Sequence, residues 1–257
     1  MKSMFKKGLF FIVFITIWGM NAQYRPLDGY GFYVGHTFFK SDFGARNDMK
    51  TNLANNGVVA GGRFYFNLFP YSMYFASHFR PYTEISFIYA RLDHIGKWVE
   101  GPPSPGKTQL KAMHANPLMF GINFGLEYHL QDLRSFNFNT LAGIYRFNPY
   151  AGIYLGGYYY QSNIYSDLGD LTNPFEQNII VFPRFINKVY YDPGFTFSAG
   201  IKTGVNYQLN DYTQLYFETK FSWFSSDKID GLDVNDPADK FHDWTVSQII
   251  GILFLMY

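Results

Sequence analysis

The chain contains no cysteine. That excludes a disulfide framework, a thiolate metal site and an anchor built on a lipid-modified cysteine. Charge is scarce as well: Asp, Glu, Lys and Arg make up 16% of the 257 residues, against roughly 25% in an ordinary soluble domain. Neither sign dominates, with 21 basic residues facing 20 acidic ones, so there is no electrostatic footprint for nucleic acid. Long apolar runs are missing too. The longest, residues 9–18 (LFFIVFITIW), is half of the ~20 residues that a membrane-spanning helix needs. No phosphate-binding Gly-rich loop, dinucleotide fingerprint, zinc spacing or Gly-x-Ser-x-Gly elbow occurs, and no cofactor is expected.

The apolar run at the start reads instead as a secretory leader. Lys2, Lys6 and Lys7 precede it and the small, polar stretch GMNAQ follows it, which places cleavage after Ala22. The expected division is a leader over 1–22 and one outer-membrane domain over 23–257. Without the three leader lysines the formal net charge of +1 becomes −2.

What is abundant is aromatic. Phe, Trp and Tyr supply 21% of the chain, more than all charged residues together. A transmembrane barrel uses such residues in belts at both membrane interfaces and in the lipid band between them. The pattern agrees. Segments of about ten residues, rich in Tyr, Phe and Gly, carry apolar side chains at every second position, the signature of strands with two unlike faces. Residues 118–130 are the cleanest case: Leu118, Phe120, Ile122, Phe124, Leu126 and Tyr128 alternate with Met119, Gly121, Asn123, Gly125 and Glu127. Similar segments cover 29–39, 58–66, 79–89, 148–161, 195–208, 212–224 and the terminal run 244–257 (WTVSQIIGILFLMY). That run closes on an aromatic residue, as in barrels inserted by the bacterial assembly machinery. Both of its faces are apolar, so its inward side stays unassigned.

Lipid tolerates no open sheet edge, so these segments must close. The expectation is an all-β, transmembrane up-and-down antiparallel barrel of eight strands in the bacterial outer membrane. A ten-strand barrel, with an extra hairpin in 179–191, is the alternative. Connection lengths set the direction. Residues 40–57, 90–117, 162–194 and 225–243 are long, as on the extracellular side, and 209–211 is a tight periplasmic turn. The other periplasmic connections, 67–78 and 131–147, are long and aromatic. Phe69, Tyr71, Tyr74, Phe136 and Phe138 make them candidate docking surfaces.

The inward faces carry Arg63, Glu84, Glu127, Lys202, Glu218 and Lys220 among glycines. An eight-strand interior is just wide enough to fill with side chains, and charges enclosed there must pair. This reads as a structural plug; a gated pore or proton path is the other use of such a set.

The outer loops carry the residue types that chemistry would need. His94 follows Asp93, His242 precedes Asp243, and Ser225 and Ser226 lie nearby, but no nucleophile–base signature is present. In the last long loop Asp227, Asp230, Asp233 and Asp236 recur every third residue. Oxygen-rich clusters suit calcium, but the spacing departs from the EF-hand pattern, and no metal site is assigned. The stretch GPPSPG at 101–106 marks a turn-rich loop tip.

Several stretches are similar to a flavobacterial (Bacteroidota) outer-membrane barrel family of undefined function: residues 37–48 (TFFKSDFGARND), 78–84 (HFRPYTE), 95–100 (IGKWVE), 110–113 (LKAM), 147–153 (FNPYAGI), 226–232 (SDKIDGL) and 239–244 (DKFHDW). More distantly, the first strand and loop, the Asn-Pro-Tyr-Ala-Gly start and the Asp-Gly-Leu loop resemble PorG, the barrel of the type IX secretion apparatus. The resemblance implies a non-enzymatic scaffold that anchors periplasmic or outer-membrane secretion or assembly subunits, with outer-membrane lipid around it and no catalytic residues. The rival expectations are a narrow OmpW-like channel for a small or apolar solute, and a surface-loop enzyme acting on lipid A or protein.

Overall fold

The computed structural model describes residues 27–44, 48–66, 77–133, 136, 146–233 and 243–256. Eight strands run β1 Leu27–Lys40, β2 Asn56–Phe66, β3 Phe79–Asp93, β4 Met113–His129, β5 Phe147–Ser166, β6 Gly194–Asn210, β7 Thr213–Phe224 and β8 Trp244–Leu255. Each pairs antiparallel with its sequence neighbours, and β8 pairs with β1 from Lys40↔Trp244 to Gly29↔Leu255, closing the barrel. The expected leader at 1–22 lies outside the described residues.

The strand number is eight and the ten-strand alternative is overturned. Residues 179–191 do not form a hairpin. They hold the end of a helix, Pro174–Ile180, and a 3-10 turn, Pro183–Phe185, because Pro174 and Pro183 remove backbone donors that a sheet ladder needs. Strands also run further than the alternation suggested. β4 and β5 have 17 and 20 residues, where about 9–11 suffice for a tilted crossing. The excess lies at the long-loop end, where Met113 pairs with Ser166. The β6–β7 turn is the two residues Asp211–Tyr212 in place of the expected three, 209–211, because β6 runs on to Asn210.

Side-chain polarity is inside-out for a soluble barrel. Phe32, Val34, Phe87, Phe120, Phe124, Leu155, Phe197 and Ile201 stand exposed on the outer wall. Arg63, Glu84, Asn123, Glu127, Lys202 and Glu218 are buried within. Only a barrel solvated by hydrocarbon is stable this way round. In β8 the inner side is now assigned: Thr245, Ser247, Ile249, Leu253 and Leu255 are buried, while Ile250 is exposed.

A recurrent cross-strand pair fills the lumen. Tyr33 lies opposite Gly61, Tyr82 opposite Gly125, Tyr158 opposite Gly121, Tyr154 opposite Gly200, Tyr150 opposite Gly204 and Tyr216 opposite Gly251. Each tyrosine ring or hydroxyl occupies the position where its glycine lacks a side chain. A Cβ at Gly121 would meet the Tyr158 ring at 2.4 Å, and one at Gly251 would meet the Tyr216 ring at 2.3 Å. Glycine in these strands is therefore a steric requirement of the tyrosine beside it.

The described parts of the four long loops fold over the open end and contain, among the described residues, three short helices: α1 Met49–Ala54, α2 Pro105–Ala112 and α3 Pro174–Ile180. Phe43, Leu92, Val99, Leu110, Met113, Leu171, Val181, Phe185, Ile229 and Leu232 are buried between them. These loops form a cap with its own apolar core.

Candidate functional site

Two regions carry the polar chemistry: the lumen and the cap. In the lumen all six charged residues singled out from the sequence come together. Arg63 on β2 is the hub. Its Nε donates to Glu84 Oε2 at 2.6 Å, and its two terminal nitrogens clasp Glu218, Nη1 to Oε2 at 2.9 Å and Nη2 to Oε1 at 2.5 Å. Lys220 pairs with Glu84. Lys202 donates to Glu127 Oε1 at 2.6 Å and lies 3.3 Å from Glu218 Oε2.

Three cations thus balance three carboxylates. Each of these side chains is at most 3% exposed. Neutral donors complete the shell. Tyr150 donates to Glu218 at 2.8 Å, and Asn123 donates to Glu84 at 3.0 Å. Rings cover the cations. The Lys202 ammonium is 3.6 Å from the Tyr82 centroid, the Lys220 ammonium 4.3 Å from Tyr154, and the Arg63 guanidinium 4.9 Å from Tyr33.

Further toward the turn end lies a pair that sequence reasoning missed. Arg80, buried, faces Asp28 at 2.5 Å and lies 4.5 Å over Tyr65. Its inward position was legible from the alternation in β3. Its partner was not, because Asp28 lies just before the first clear alternating segment. His129, also missed, meets Glu127 through Nε2 at 3.1 Å.

The loop histidines are placed differently from the sequence expectation. His94 does not pair with Asp93. It is buried, stacked between Phe43 and Phe185 at 4.6 and 5.7 Å, and its Nδ1 accepts from the Gly44 N–H at 2.9 Å. Burial pushes its pKa down to about 3, with the neighbouring His114 acting in the same direction. The ring is a neutral core residue. Asp93 instead meets His114 Nδ1 at 2.5 Å, and Asp167 faces the other ring nitrogen at 3.2 Å, so His114 joins β3, β4 and the third long loop. Its position directly across from Asp93 follows from the β3–β4 register, which sequence alone does not supply. His242 lies outside the described residues.

The described part of the Asp-rich loop is tied down through Asp230. Asp230 is buried. Its Oδ2 accepts from the Asp42 N–H at 2.8 Å and its Oδ1 from the Leu232 N–H at 2.9 Å. Gly231 between them has φ +88°, which explains the Asp-Gly-Leu sequence. Asp233 lies 3.2 Å from the Lys228 ammonium, whose pKa is raised chiefly by that hydrogen bond. Asp227 is in the same turn, and Asp236 lies outside the described residues. Among the described residues no group of His, Asp and Glu is arranged to hold a metal ion.

Of the periplasmic candidates, Phe69, Tyr71, Tyr74 and Phe138 lie outside the described residues. Phe136 is buried, in a helical turn whose N–H bonds back to the Asp132 carbonyl. Two concavities, of about 560 and 780 Å³, lie on the outer wall. They are lined by residues such as Leu126, Ile153, Ile201 and Phe221 on the lipid side of β4 to β7.

No protein-family model matches the chain, and no curated protein is similar to it in sequence. Solved structures resemble it in shape. Neisserial surface protein A (NspA) superposes with a TM-score of 0.46 at 10% identity, over 89% of this chain and 96% of that one. Ail, the attachment invasion locus protein of Yersinia pestis, gives 0.41 at 9%, over 91% and 100%. OprG from Pseudomonas aeruginosa gives 0.37 at 10%, over 92% and 100%. Strand number and closure rest on the pairing register itself. By its closure, its apolar outer wall and its polar lumen, the chain is an eight-stranded transmembrane β-barrel of the bacterial outer membrane.

Proposed function

We propose that this barrel is neither an enzyme nor a channel and that it acts by holding partners at the outer membrane. Its finer assignment is an accessory or anchoring subunit of a secretion or envelope-assembly complex of the type IX kind. The observation that carries the general reading is the lumen. Three cations and three carboxylates close on one another, with aromatic rings above and below and each side chain almost wholly buried. A conducting path would have to break ion pairs that cost several kcal/mol to separate when buried. Nor, among the described residues, does the cap bring a nucleophile to a base, since His94 is locked between phenylalanine rings and His114 between two carboxylates. The secretion assignment is supported by the sequence resemblance and by the two long, aromatic connections on the periplasmic side.

The test is purification of the tagged protein from native membranes in mild detergent, together with conductance of the pure barrel in a planar bilayer. Stoichiometric secretion or assembly subunits and a silent bilayer are the expected results. Steady single-channel openings would overturn the non-conducting reading. A silent barrel recovered alone would overturn the anchoring one.

A further inference from the structure

On the β7–β8–β1 face the outer wall departs from its apolar rule along one row. Thr219 on β7, Gln248 on β8 and His36 on β1 lie on one line of the register, Thr219 opposite Gln248 and Gln248 opposite His36. All three belong to the outward-facing set of their strands. Four residues toward the loops, the same three strands carry Trp223, Trp244 and Lys40, again in register, with the Lys40 ammonium 4.9 Å over the Trp244 ring. Such a Trp/Lys row marks the membrane interface. Four residues of tilted strand descend about 10 Å. The polar row therefore lies within the hydrocarbon band, about 25 Å tall in such barrels. Leu215, Phe217, Ile250, Ile252 and Val34 continue the outer wall toward the turn end.

Within this chain the row is half satisfied. The Thr219 hydroxyl donates to the Gln248 side-chain oxygen at 3.0 Å. This leaves the Gln248 amide nitrogen, with two N–H groups, without an acceptor among the described residues. His36 packs edge-on against Phe38 at 4.6 Å and has no polar partner among them either. Acyl chains offer neither donors nor acceptors, so each open group is costly there. On β2 the wall beside the row is low: Val58, Ala60 and Gly62 form the outward set, with Val34 opposite Ala60, whereas Phe217 and Phe221 flank the row on β7. On β3 and β4 the corresponding positions carry Phe87, Tyr89, Phe120 and Phe124.

We propose that the β7–β8–β1–β2 face is an interface within the membrane between two copies of this chain. The row is self-complementary. A twofold axis through it brings the amide N–H groups of each copy against acceptors that the same row supplies, the His36 ring nitrogen and the Gln248 oxygen. The small outward side chains of β2 let the two walls approach closely there, as small residues do wherever proteins pack in lipid. The contact uses neither the lumen nor the periplasmic connections, so it stands apart from the anchoring reading.

The absence of native cysteine makes the test direct. Val34→Cys and Ile250→Cys flank the row and face each other in register; Phe120→Cys on β4 is the control. After oxidation in native outer membranes, the two flanking variants are expected to give a band of twice the chain mass on a non-reducing gel, in clear excess over the control. Gln248→Leu or His36→Leu, added to Ile250→Cys, should lower the yield about threefold for each hydrogen bond lost, approaching tenfold for the symmetric pair. Both changes put an aliphatic side chain on lipid, so folding is expected to survive, which the mobility of the unheated barrel checks. Equal yield at Phe120, unchanged yield after Gln248→Leu, or adducts to a different protein would each overturn the proposal.

Discussion

The lumen and the cap are both shielded interiors, yet they are built from opposite materials. The lumen is filled mainly by ion pairs, amides and tyrosines, with Ile249, Leu253 and Leu255 lining it from β8; the cap is filled mainly by Leu, Ile, Val and Phe, packed around His94 and Asp230. What differs is the medium outside. The cap stands in water, so burying Leu92, Leu110 or Ile229 gains the full hydrophobic term. The barrel wall stands in hydrocarbon. An apolar side chain moved from the outer face to the inner one would gain little, since it leaves one apolar surroundings for another. The lumen is held instead by the need of each polar group for another polar group, a need that lipid makes absolute. The same chain thus buries polarity where it is surrounded by oil and buries oil where it is surrounded by water.

That contrast is open to direct attack. The largest effect is expected at the lumen hub. Arg63→Ala leaves Glu84 and Glu218 facing each other with one cation fewer, and removing one member of a buried pair costs about 3–5 kcal/mol. The check is denaturant unfolding of the refolded barrel, followed by gel mobility, with the cap's protease resistance read in parallel. Next come the tyrosine–glycine pairs. Gly121→Ala drives a methyl into the Tyr158 ring and is expected to cost about 1–3 kcal/mol. The double variant Gly121→Ala/Tyr158→Leu should recover part of it in the same assay, and a double that adds the two losses would show that the pair is not coupled.

The cap should respond to acid. His94 is neutral in the fold, with its pKa held down to about 3, whereas exposed histidine titrates near 6.5. The contribution of the neutral ring is therefore complete above pH 6.5 and is lost as the pH falls toward 3. About 1 kcal/mol should go between pH 6.5 and 5.5. The hydrogen-exchange protection of the segment around Gly44 and His94, after correction for the slower intrinsic exchange in acid, should fall with acid in the parent and not in His94→Phe, while the protection of strand amides stays unchanged. The smallest effect is expected for Ile229→Val in the cap core, about 0.5–1.5 kcal/mol. It should be visible as faster proteolysis of the loops with no change in barrel unfolding.

Legibility in the sequence followed the same divide. The wall was readable because alternation is local: residues 118–130 reveal their two faces without any partner strand. The lumen charges were readable for the same reason, since Arg63, Glu84, Lys202 and Glu218 sit at inward parity. The pairings between them were not, because Arg63 meets Glu218 across 155 positions of sequence and register is a property of the closed sheet. The cap was least legible. Its burial comes from four loops meeting, so His94 and Asp230 look like solvated loop residues in sequence and are core residues in space. The Asp-Gly-Leu turn was the one local clue, and a turn type does not say what the turn is buried against. The hairpin considered for 179–191 failed on similar ground, where apolar residues serve the cap core through Val181 and Phe185 instead of a strand.

The tyrosine–glycine pairs have a consequence for how the barrel is assembled. A strand added one residue out of step would point each tyrosine at lipid. Two residues out of step, parity is restored, but Tyr158 would face Met119 or Asn123 in place of Gly121. Each seam that contains such a pair therefore carries its own error check, one of shape and independent of the ion pairs. The β1–β8 seam is checked from the other side. There Gly31 and Gly35 lie bare on the first strand, and Leu253 and Ile249 arrive on the last. The strand that finishes the ring brings the bulk, and the strand that began it has kept the space open.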